Sequence, residues 1–422
     1  MSCRSRCLLL FASLVLLLTP AAAGVLEAAN PESLGFSAAR LERLSDALQG
    51  YVADEQVAGV VALVARHGRI AYFEAFGERD IESGAPMRKD TIFRIASQSK
   101  AIVSTAAMIL QEEGRLLLSD PVGKYIPGFM ETTVAVEEDD GGYEVVPASR
   151  PITIHDLLTH TSGYDYGDGI AKDRWEEAGI HGYYFSNRDE PIGDTVARMA
   201  ALPAVAQPGE KFVYGFSTDI LGAVLEQASG MPLDALLANR LFEPLGMEDT
   251  YFYLPPAKRD RLATVYGIDD GKFGRGPEDG WNGQGMFADG PRKSFSAGAG
   301  LVSTAEDYAR FLQMILNQGE LEGVRVLSPK TVELMSVNHL RDIPFGEGEG
   351  FGLGFSVLED LGARGTPGTV GELAWGGAYH STYWIDPAEE LVVVYMAQLI
   401  PTGDIDDHEK LRALVYQALV DP

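Results

Sequence analysis

Strand patterns lie at both ends of this chain, and a long segment with helical periodicity separates them. Residues 58–77 read AGVVALVARHGRIAYFEAFG, two runs rich in β-branched and aromatic residues around His67 and Gly68. Near the C-terminus, GFGLGFSVL, HSTYWIDP and LVVVYMAQ have the same character. Isolated hairpins are only marginally stable, so strands this far apart in sequence are expected to pair with one another. The sequence therefore predicts an α+β fold, with an antiparallel sheet built from both chain ends and flanked by helices.

The predicted helices are recognised by apolar residues that recur every three or four positions, with Gly and Pro between the helices. These helices are 37–53, 100–113, 152–160, 192–202, 217–229 and 231–241, with a closing helix at 406–420. Two stretches, 131–150 and 265–291, lack this periodicity and are predicted to be loops. We expect a sheet domain formed by 24–95 and 290–422, and a mainly helical domain formed by 96–289.

The first 23 residues have the pattern of a secretory signal. Arg4 and Arg6 precede an apolar run over residues 8–18, and small residues follow Pro20. This run is about half of the ~20 residues that a membrane-spanning helix requires. Removal of residues 1–23 would also remove both cysteines, so the mature chain would contain no disulfide. The sequence therefore predicts export to the periplasm or the medium.

Composition narrows the possible partners. The formal net charge is −27 at pH 7 and no basic run is present, so the chain is not expected to bind nucleic acid. No stretch after the predicted signal is apolar enough to span a membrane, so no span is expected in the mature form. With 422 residues, 46% of them hydrophobic, the chain is long enough for two lobes with cores. A cleft between the lobes is the expected ligand site.

One short stretch, FRIASQSKAIVSTAAMIL, places Ser97 three residues before Lys100 at the head of an apolar helix. Residues three apart share one face of a helix. A serine nucleophile requires an adjacent base, and a lysine can be that base if burial or a neighbouring cation lowers its pKa. Since about 0.5 matches to Ser-x-x-Lys are expected by chance in this composition, the pair alone does not establish catalysis.

Further segments follow this stretch in order. They are ITIHDLLTHTSGY, PGEKFVYGFSTDILGAVLEQASG, SAGAGLVSTAEDYARFLQMILNQGEL, GFGLGF and LAWGGAYHSTYWIDP. Together with the Ser-x-x-Lys stretch, the set resembles the penicillin-recognising serine hydrolases, which include class C β-lactamases, D-alanyl-D-alanine peptidases and family VIII carboxylesterases. The resemblance covers essentially the whole mature chain. It implies a β-lactamase/transpeptidase-like fold with a helical insert domain.

The resemblance also implies roles for particular residues. Ser97 resembles the nucleophile that becomes acylated, and Lys100 resembles its general base. Tyr214 matches the tyrosine that protonates the leaving group and activates water. The backbone N–H groups of Ser97 and Ala378 would form the oxyanion hole, where each donor is typically worth ~3–4 kcal/mol. No metal ion and no organic cofactor is implied.

Two departures from the family pattern indicate the substrate class. Phe216 stands where the second motif has an asparagine, and Trp375 stands where the third motif has a lysine. The first change removes an amide and the second removes a cation that would hold a substrate carboxylate. Phe216, Trp375, Gly376 and Gly377 are therefore predicted to contact a substrate with apolar or aromatic groups. A tryptophan followed by two glycines resembles the family VIII esterases, so a small-molecule carboxylic ester is the expected substrate.

Two alternatives stay open at this stage. A β-lactamase or D-amino-acid peptidase would need another cation in the cleft, for which Arg292 and Lys293 are candidates. A non-catalytic binding protein could keep the same scaffold. His155 and His160 are expected to be structural and not metal ligands, because five residues of helix would turn them apart. His380, on a predicted strand two residues after Ala378, is also expected to be structural.

Overall fold

Eight strands from the two ends of the chain form one antiparallel sheet in the computed structural model, which describes residues 26–139 and 141–421. The predicted signal, residues 1–23, lies outside the described residues. In chain order the strands are β1 (Gly59–Arg66), β2 (Arg69–Asp80), β3 (Ala85–Pro86), β4 (Phe93–Arg94), β5 (Thr133–Glu137), β6 (Tyr143–Pro147), β7 (Tyr266–Asp269), β8 (Lys272–Arg275), β9 (Val302–Ser303), β10 (Glu320–Leu321), β11 (Val324–Arg325), β12 (Glu349–Phe351), β13 (Ser356–Leu358), β14 (Leu373–Gly377), β15 (Ser381–Asp386) and β16 (Leu391–Met396).

Helices cover the sheet and fill the middle of the chain. They are α1 (Ala38–Ala53), α2 (Ser99–Glu112), α3 (Ile154–Leu158), α4 (Lys172–Glu177), α5 (Ile192–Met199), α6 (Ser217–Ser229), α7 (Leu233–Leu237), α8 (Glu243–Leu245), α9 (Ala305–Leu316), α10 (Pro329–Met335), α11 (Leu361–Arg364) and α12 (Asp407–Tyr416). Short 3-10 turns connect several of them. Among the described helices, none combines the length and the apolar character that crossing a membrane would require.

The order of strands in the large sheet is β12-β13-β14-β15-β16-β1-β2-β3. The pair β16–β1 joins the two chain ends, with Val61 opposite Met396 and Arg66 opposite Leu391. The predicted antiparallel sheet built from both ends is therefore confirmed. The hairpin predicted around His67 and Gly68 is also confirmed, since these two residues connect β1 to β2 and both adopt positive φ.

The sheet is the middle layer of three, which explains why every residue of β1 is buried. Alternate side chains of a strand point to opposite faces. Val60, Ala62 and Val64 pack with α1 and α12, whereas Val61, Leu63 and Ala65 pack with α2 and α9. The second of these cores continues into the helices of the middle segment. Because the core is continuous, the domain boundaries expected from the sequence stay predictions.

The two predicted loops contain strands, and in that respect the sequence interpretation was wrong. Residues 131–150 include the hairpin β5–β6, and residues 265–291 include the hairpin β7–β8. In the second hairpin Asp270 and Gly271, with φ of 47° and 72°, form the two-residue turn. An Asp-Gly pair is a recognised hairpin signal. It was overlooked because the segment was interpreted only by its lack of helical periodicity.

Most of the predicted helices are present with shifted ends. The predicted helix 152–160 is shorter, because Thr153 caps α3 and His160 adopts φ of 54°, which a helix does not allow. The predicted helix 231–241 is divided into α7 and a π-helical segment, Ala238–Phe242. The closing helix is α12, which begins at Asp407.

The end of β14 lies directly against the turn that precedes α2, and this contact brings the sheet to the predicted nucleophile. A Cβ atom on Gly377 would be 2.5 Å from the carbonyl oxygen of Ile95 and 2.5 Å from the Ser381 hydroxyl. No side chain fits in that space, so only glycine permits this approach. Ile95 immediately precedes the 3-10 turn Ala96–Gln98, which contains Ser97.

Replacement of Gly377 by alanine should therefore lower the free energy of unfolding by about 1–3 kcal/mol, the usual cost of overpacking. Gly50 in α1 is the matched control, because nothing lies within 4 Å of a Cβ atom there. Gly50→Ala should raise the free energy of unfolding by about 0.5–1 kcal/mol. Urea denaturation of both variants measures the difference. Equal stability of Gly377→Ala and wild type would contradict the proposed contact.

Candidate active site

Ser97 lies at the start of an apolar helix, as predicted, and at the edge of a cleft of about 640 Å³. Its 3-10 turn, Ala96–Gln98, leads directly into α2. Ala96 adopts φ of 41°, a strained value for a residue with a side chain. Ser97 is 8% exposed, and its hydroxyl is hydrogen-bonded to Lys100, with 3.3 Å between Oγ and Nζ. The two residues that the sequence paired are therefore in contact.

The ammonium of Lys100 is buried and fully hydrogen-bonded. Its Nζ donates to Ser97 Oγ at 3.3 Å, to the Tyr166 hydroxyl at 3.1 Å and to the Gly298 carbonyl at 2.8 Å. An ammonium has three N–H donors, and each of them has an oxygen acceptor here. The ring of Tyr214 lies under the same charge, with Nζ 4.6 Å from the ring centroid. The contacts in the unliganded site thus stabilise the charged form of Lys100.

Electrostatics at Lys100 favour the charged form as well. Burial lowers the pKa of Lys100, but Tyr166, Tyr214 and Asp219 together raise it by more, so its pKa lies above the ordinary value. Burial raises the pKa of Tyr166, against the opposing effect of Lys100, so the phenol is neutral. A lysine with a pKa lowered toward neutrality was one condition for a simple base mechanism. The unliganded site does not meet that condition.

A buried carboxyl group lies behind the lysine and was not predicted from the sequence. Asp219 in α6 is fully buried, and its Oδ1 accepts hydrogen bonds from the Gly298 N–H and the Ser296 hydroxyl, both at 3.2 Å. Burial raises the pKa of Asp219 to about 6, with Lys100 opposing the shift. A Cβ atom on Gly298 would be 2.5 Å from Asp219 Oδ2. Only glycine therefore fits at position 298 without displacing this carboxylate.

Tyr214 reaches the cleft as predicted, but its hydroxyl is not hydrogen-bonded to Lys100. The hydroxyl oxygen accepts the indole N–H of Trp375 at 3.1 Å, and the phenol oxygen that accepts from the lysine belongs to Tyr166. Tyr166 lies in the loop after α3, beyond the last residue of the motif that suggested the family. Only the tertiary structure shows its contact with Lys100, since no spacing in the sequence links the two residues.

Trp375 and Tyr214 line the cleft, and further aromatic side chains pack against these two residues. The ring of Trp375 lies 5.5 Å from Tyr214, 5.2 Å from Phe351 and 6.3 Å from Phe345, measured between centroids. His160 packs on the other side of Tyr214 at 4.8 Å. Burial and the charge of Lys100 lower the pKa of His160 well below its ordinary value. This imidazole is thus neutral, and it packs against Tyr214 without lining the cleft.

Phe216 does not line the cleft, so the prediction that it contacts substrate is not supported by its position. It is fully buried at the head of α6. Its ring stacks on Trp175 at 5.3 Å and lies edge-on to Tyr166 at 5.4 Å. The chain bends at Gly215, where a Cβ atom would be 2.4 Å from the backbone of Tyr164 and Asp165. Phe216 therefore packs against Tyr166 and helps to fix the position of its ring.

The two predicted oxyanion-hole amides belong to elements that meet at the cleft. Ser97, Trp375, Gly376, Gly377 and Ala378 all line this cleft. Ala378 follows the last residue of β14, and in the described part of the chain its N–H donates to no other residue. An unpaired amide facing a cleft beside a serine hydroxyl is the arrangement that an oxyanion requires.

Neither predicted substitute cation reaches the cleft. Lys293 pairs with Asp189, with 2.8 Å between Nζ and Oδ1. Arg292 donates to the carbonyl of Leu254 at 2.7 Å and lines a different cavity. The requirement of the β-lactamase or peptidase alternative is therefore not met by these two residues.

Two other arginines do line the cleft, and one buried carboxylate binds both. Arg364 and Arg412 each contact Glu372, with N–O distances of 2.8 and 2.7 Å. The Glu372 side chain has no exposed area. A buried carboxylate is stable only when it is paired, so both guanidinium groups are needed to neutralise and hydrogen-bond Glu372.

One group of side chains in residues 26–139 and 141–421 has the composition of a metal site. His380, Asp407 and His408 bring three ligand atoms within 4.8 Å of one another. His380 Nε2 and Asp407 Oδ1 are 2.7 Å apart, a direct hydrogen bond, and the two imidazoles stack in parallel, 4.0 Å apart and at 12°. This geometry is that of a hydrogen-bonded pair and not of tetrahedral ligation.

The position of His380 differs from the prediction, because it lies in the turn between β14 and β15 and not on a strand. His155 lies away from the cleft, with its Nε2 3.1 Å from Nδ1 of His339. His155 and His160 therefore point to different neighbours and hold no common ligand position.

Comparison with known proteins shows the family to which this chain belongs. The Beta-lactamase family profile matches residues 44–417. The protein Rv1367c of Mycobacterium tuberculosis is 36% identical over 368 residues, 83% of this chain and 88% of that protein. Esterase EstB of Burkholderia gladioli is 35% identical over 395 residues, 89% of this chain and 94% of that protein.

The fold has solved counterparts as well. The structure of EstCE1, described as a hydrolase with promiscuous acyltransferase activity, superimposes with a TM-score of 0.76 at 30% identity. The match covers 92% of this chain and 99% of that one. Together with the family match, it confirms the predicted β-lactamase-like fold and the resemblance to penicillin-recognising enzymes. The chain belongs to the β-lactamase family of serine hydrolases.

Proposed function

We propose that this protein is a carboxylesterase that cleaves small apolar esters through an acyl-enzyme on Ser97. The observation that carries the proposal is the wall beside Ser97, where Trp375 stands in place of a cation and packs among aromatic rings. The arginines that line the cleft are bound to Glu372. A carboxylate-bearing substrate would have to compete with Glu372 for these guanidinium groups, whereas an uncharged ester does not need a cation.

The acylation step follows from the contacts of Lys100. The resting site holds an ammonium beside a neutral Tyr166, so it must lose one proton before Ser97 can react. The remaining proton is then shared between Lys100 and Tyr166, as amine with phenol or as ammonium with phenolate. In either form this pair takes the Ser97 proton while Oγ attacks the ester carbonyl.

The leaving alkoxide then takes a proton from Tyr214, and the proton that the Lys100–Tyr166 pair took from Ser97 passes to Tyr214, whose ring lies 4.6 Å from Lys100 Nζ. The Tyr214 oxygen accepts the indole N–H of Trp375, so its own O–H is free to donate into the cleft. The tetrahedral oxyanion is held by the N–H groups of Ser97 and Ala378. No metal ion or organic cofactor enters these steps, because the buried lysine and the phenols supply the proton transfers.

The names of the relatives support ester cleavage. EstB is an esterase and EstCE1 a hydrolase with acyltransferase activity, and both resemble this chain over most of its length. For the N-terminus we propose that residues 1–23 direct export. N-terminal sequencing of the protein from the medium or periplasm would find the chain beginning after residue 23, and an intact Met1 would contradict export by cleavage.

Ser97→Ala should lower turnover of short- and medium-chain p-nitrophenyl esters by about 10⁴-fold or more, because the acyl-enzyme cannot form. Wild type should hydrolyse these esters fast and the chromogenic cephalosporin nitrocefin slowly. Initial rates of both proteins on both substrates measure this. Wild-type rates in Ser97→Ala would rule out the nucleophile, and fast nitrocefin turnover would favour the β-lactamase alternative.

Tyr166→Phe and Tyr214→Phe should each lower kcat on the same esters by about 10²-fold, the usual contribution of a positioned acid or base. Tyr164→Phe is the matched control, since the hydroxyl of this buried tyrosine donates only to the Leu202 carbonyl at 3.3 Å. It should keep the wild-type kcat. A wild-type kcat in Tyr166→Phe would remove that phenol from the proton path.

A further inference from the structure

A second cavity, of about 610 Å³, lies apart from the cleft that contains Ser97. None of the described residues that line it also lines the cleft. Its walls come from the helical stretch 234–248, from the segment 250–253 and from two residues of the segment 292–295. The volume lies within the usual range of about 300–1,000 Å³ for small-molecule sites. The cavity is therefore large enough for a ligand of its own.

The interior of this cavity is apolar and mainly aromatic. It is lined by Phe242, Met247, Phe252 and Tyr253, each of which is at most 6% exposed. The ring of Phe295 lies 5.4 Å from Phe252 and 6.0 Å from Tyr253, measured between centroids. Contact between apolar surface and water is unfavourable, so a ligand with an apolar group is stabilised when it covers these side chains.

The helix beside the cavity is irregular. α7 continues into the π-helical segment Ala238–Phe242, and the first and last residues of this segment line the cavity. π-helical turns are rare and are frequent at functional sites. The irregular turn is thus a second indication, besides the apolar lining, that this wall has a function.

The charged side chains around the cavity are mostly acidic. Three exposed carboxylates line it, namely Asp234, Glu243 and Glu248. The basic residue nearest to them in sequence, Arg240, is paired with Glu113. These three carboxylates therefore give the cavity a negative potential.

The other basic residues nearby do not neutralise these carboxylates. Arg292 is the one basic residue among the described residues that line the cavity. Its guanidinium donates to the carbonyls of Leu254 at 2.7 Å and Tyr253 at 3.4 Å. Lys258 is paired with Asp249, with 2.7 Å between Nζ and Oδ1. Three carboxylates and one guanidinium give the lining a net charge of −2.

Aromatic rings combined with carboxylates are suited to an organic cation. An ammonium group is attracted to the faces of aromatic rings, and the carboxylates add a Coulomb attraction that an anion would lack. The formal net charge of −27 acts in the same direction. A ligand with an alkyl or aryl body and an ammonium group therefore matches both the apolar interior and the acidic residues.

The wall of the cavity is joined to the segment that holds Lys100. The hydroxyl of Tyr253 donates to the Ser294 carbonyl at 2.8 Å, and Phe295 is the next residue along the chain. Three residues after Phe295, the Gly298 carbonyl accepts a hydrogen bond from Lys100 Nζ at 2.8 Å. A displacement of the Phe295 ring therefore reaches the lysine through three residues of backbone.

We propose that this cavity is a second binding site, for an organic cation with an apolar body, and that its occupation changes the rate of the reaction at Ser97. The binding does not depend on the proposed function, whereas the change in rate rests on it. Because the cavity lies outside the cleft, the cation changes kcat and does not compete with the substrate.

Benzyltrimethylammonium is the probe for this site, and 3-phenylpropionate is an anion of similar size. Isothermal titration calorimetry of the wild-type protein should find one site for the cation and at least about tenfold weaker binding of the anion. Protein whose Ser97 has first reacted with a fluorophosphonate should still bind the cation. Binding that is lost after this reaction would place the cation in the cleft and overturn the proposal.

The double variant Glu243→Gln with Glu248→Gln should weaken binding of the cation about threefold to tenfold, because each exposed charge contributes modestly. Glu177→Gln is the matched control, since Glu177 is an exposed carboxylate of α4 that does not line the cavity. It should bind the cation as wild type does. No binding to wild type, or wild-type affinity in the double variant, would overturn the site.

Steady-state kinetics with p-nitrophenyl butyrate test the link to Lys100. Saturating benzyltrimethylammonium should change kcat of wild type at least about twofold, with half of the change at the Kd found by calorimetry. A rise in KM alone would mean that the cation competes in the cleft, and binding with an unchanged kcat would refute the link. Absence of any Ser97-dependent turnover would instead refute the proposed function, while calorimetry would still decide whether the site exists.

Discussion

The hydrogen bonds of Lys100 are the interaction on which the rest of the site depends. One buried ammonium joins the head of α2, the loop that carries Tyr166 and the backbone at Gly298. A buried charge is tolerated only when its donors are satisfied, and Asp219 adds a carboxylate behind the contact with Gly298. The hydrogen bonds that stabilise the buried charge also bring the Tyr166 phenol and the Ser97 hydroxyl into contact with the same nitrogen atom, Lys100 Nζ. The hydrogen bonds of Lys100 therefore contribute both to the stability of the site and to the reactivity of Ser97.

The large sheet supplies the other half of the site. Strands from the two chain ends pair at its centre, and β14 reaches the cleft because Gly377 can lie against the carbonyl of Ile95. This contact brings the Ala378 amide to the cleft that Ser97 also lines. The helical middle of the chain therefore supplies the groups that move the serine proton, and the sheet supplies an amide donor.

The sequence was most informative where chemistry and periodicity are local. The individual strands, the hairpin at His67 and the Ser97–Lys100 contact all follow from patterns within a few residues. Predictions failed where the deciding partner is distant in sequence. Phe216 was expected to contact substrate because it stands where the family motif has a substrate-binding asparagine, but its ring is buried in the core. Tyr166 and Asp407 became visible only once the fold placed them beside Lys100 and His380, since no spacing links them.

The central claim is that Ser97 carries the acyl group, and covalent labelling tests it most directly. Wild-type protein is incubated with a fluorophosphonate ester, digested, and the modified peptide is sequenced by mass spectrometry. The account predicts one adduct per chain on Ser97, with no labelling of the Ser97→Ala variant. An adduct on another residue, or an unlabelled protein that still hydrolyses esters, would contradict the account.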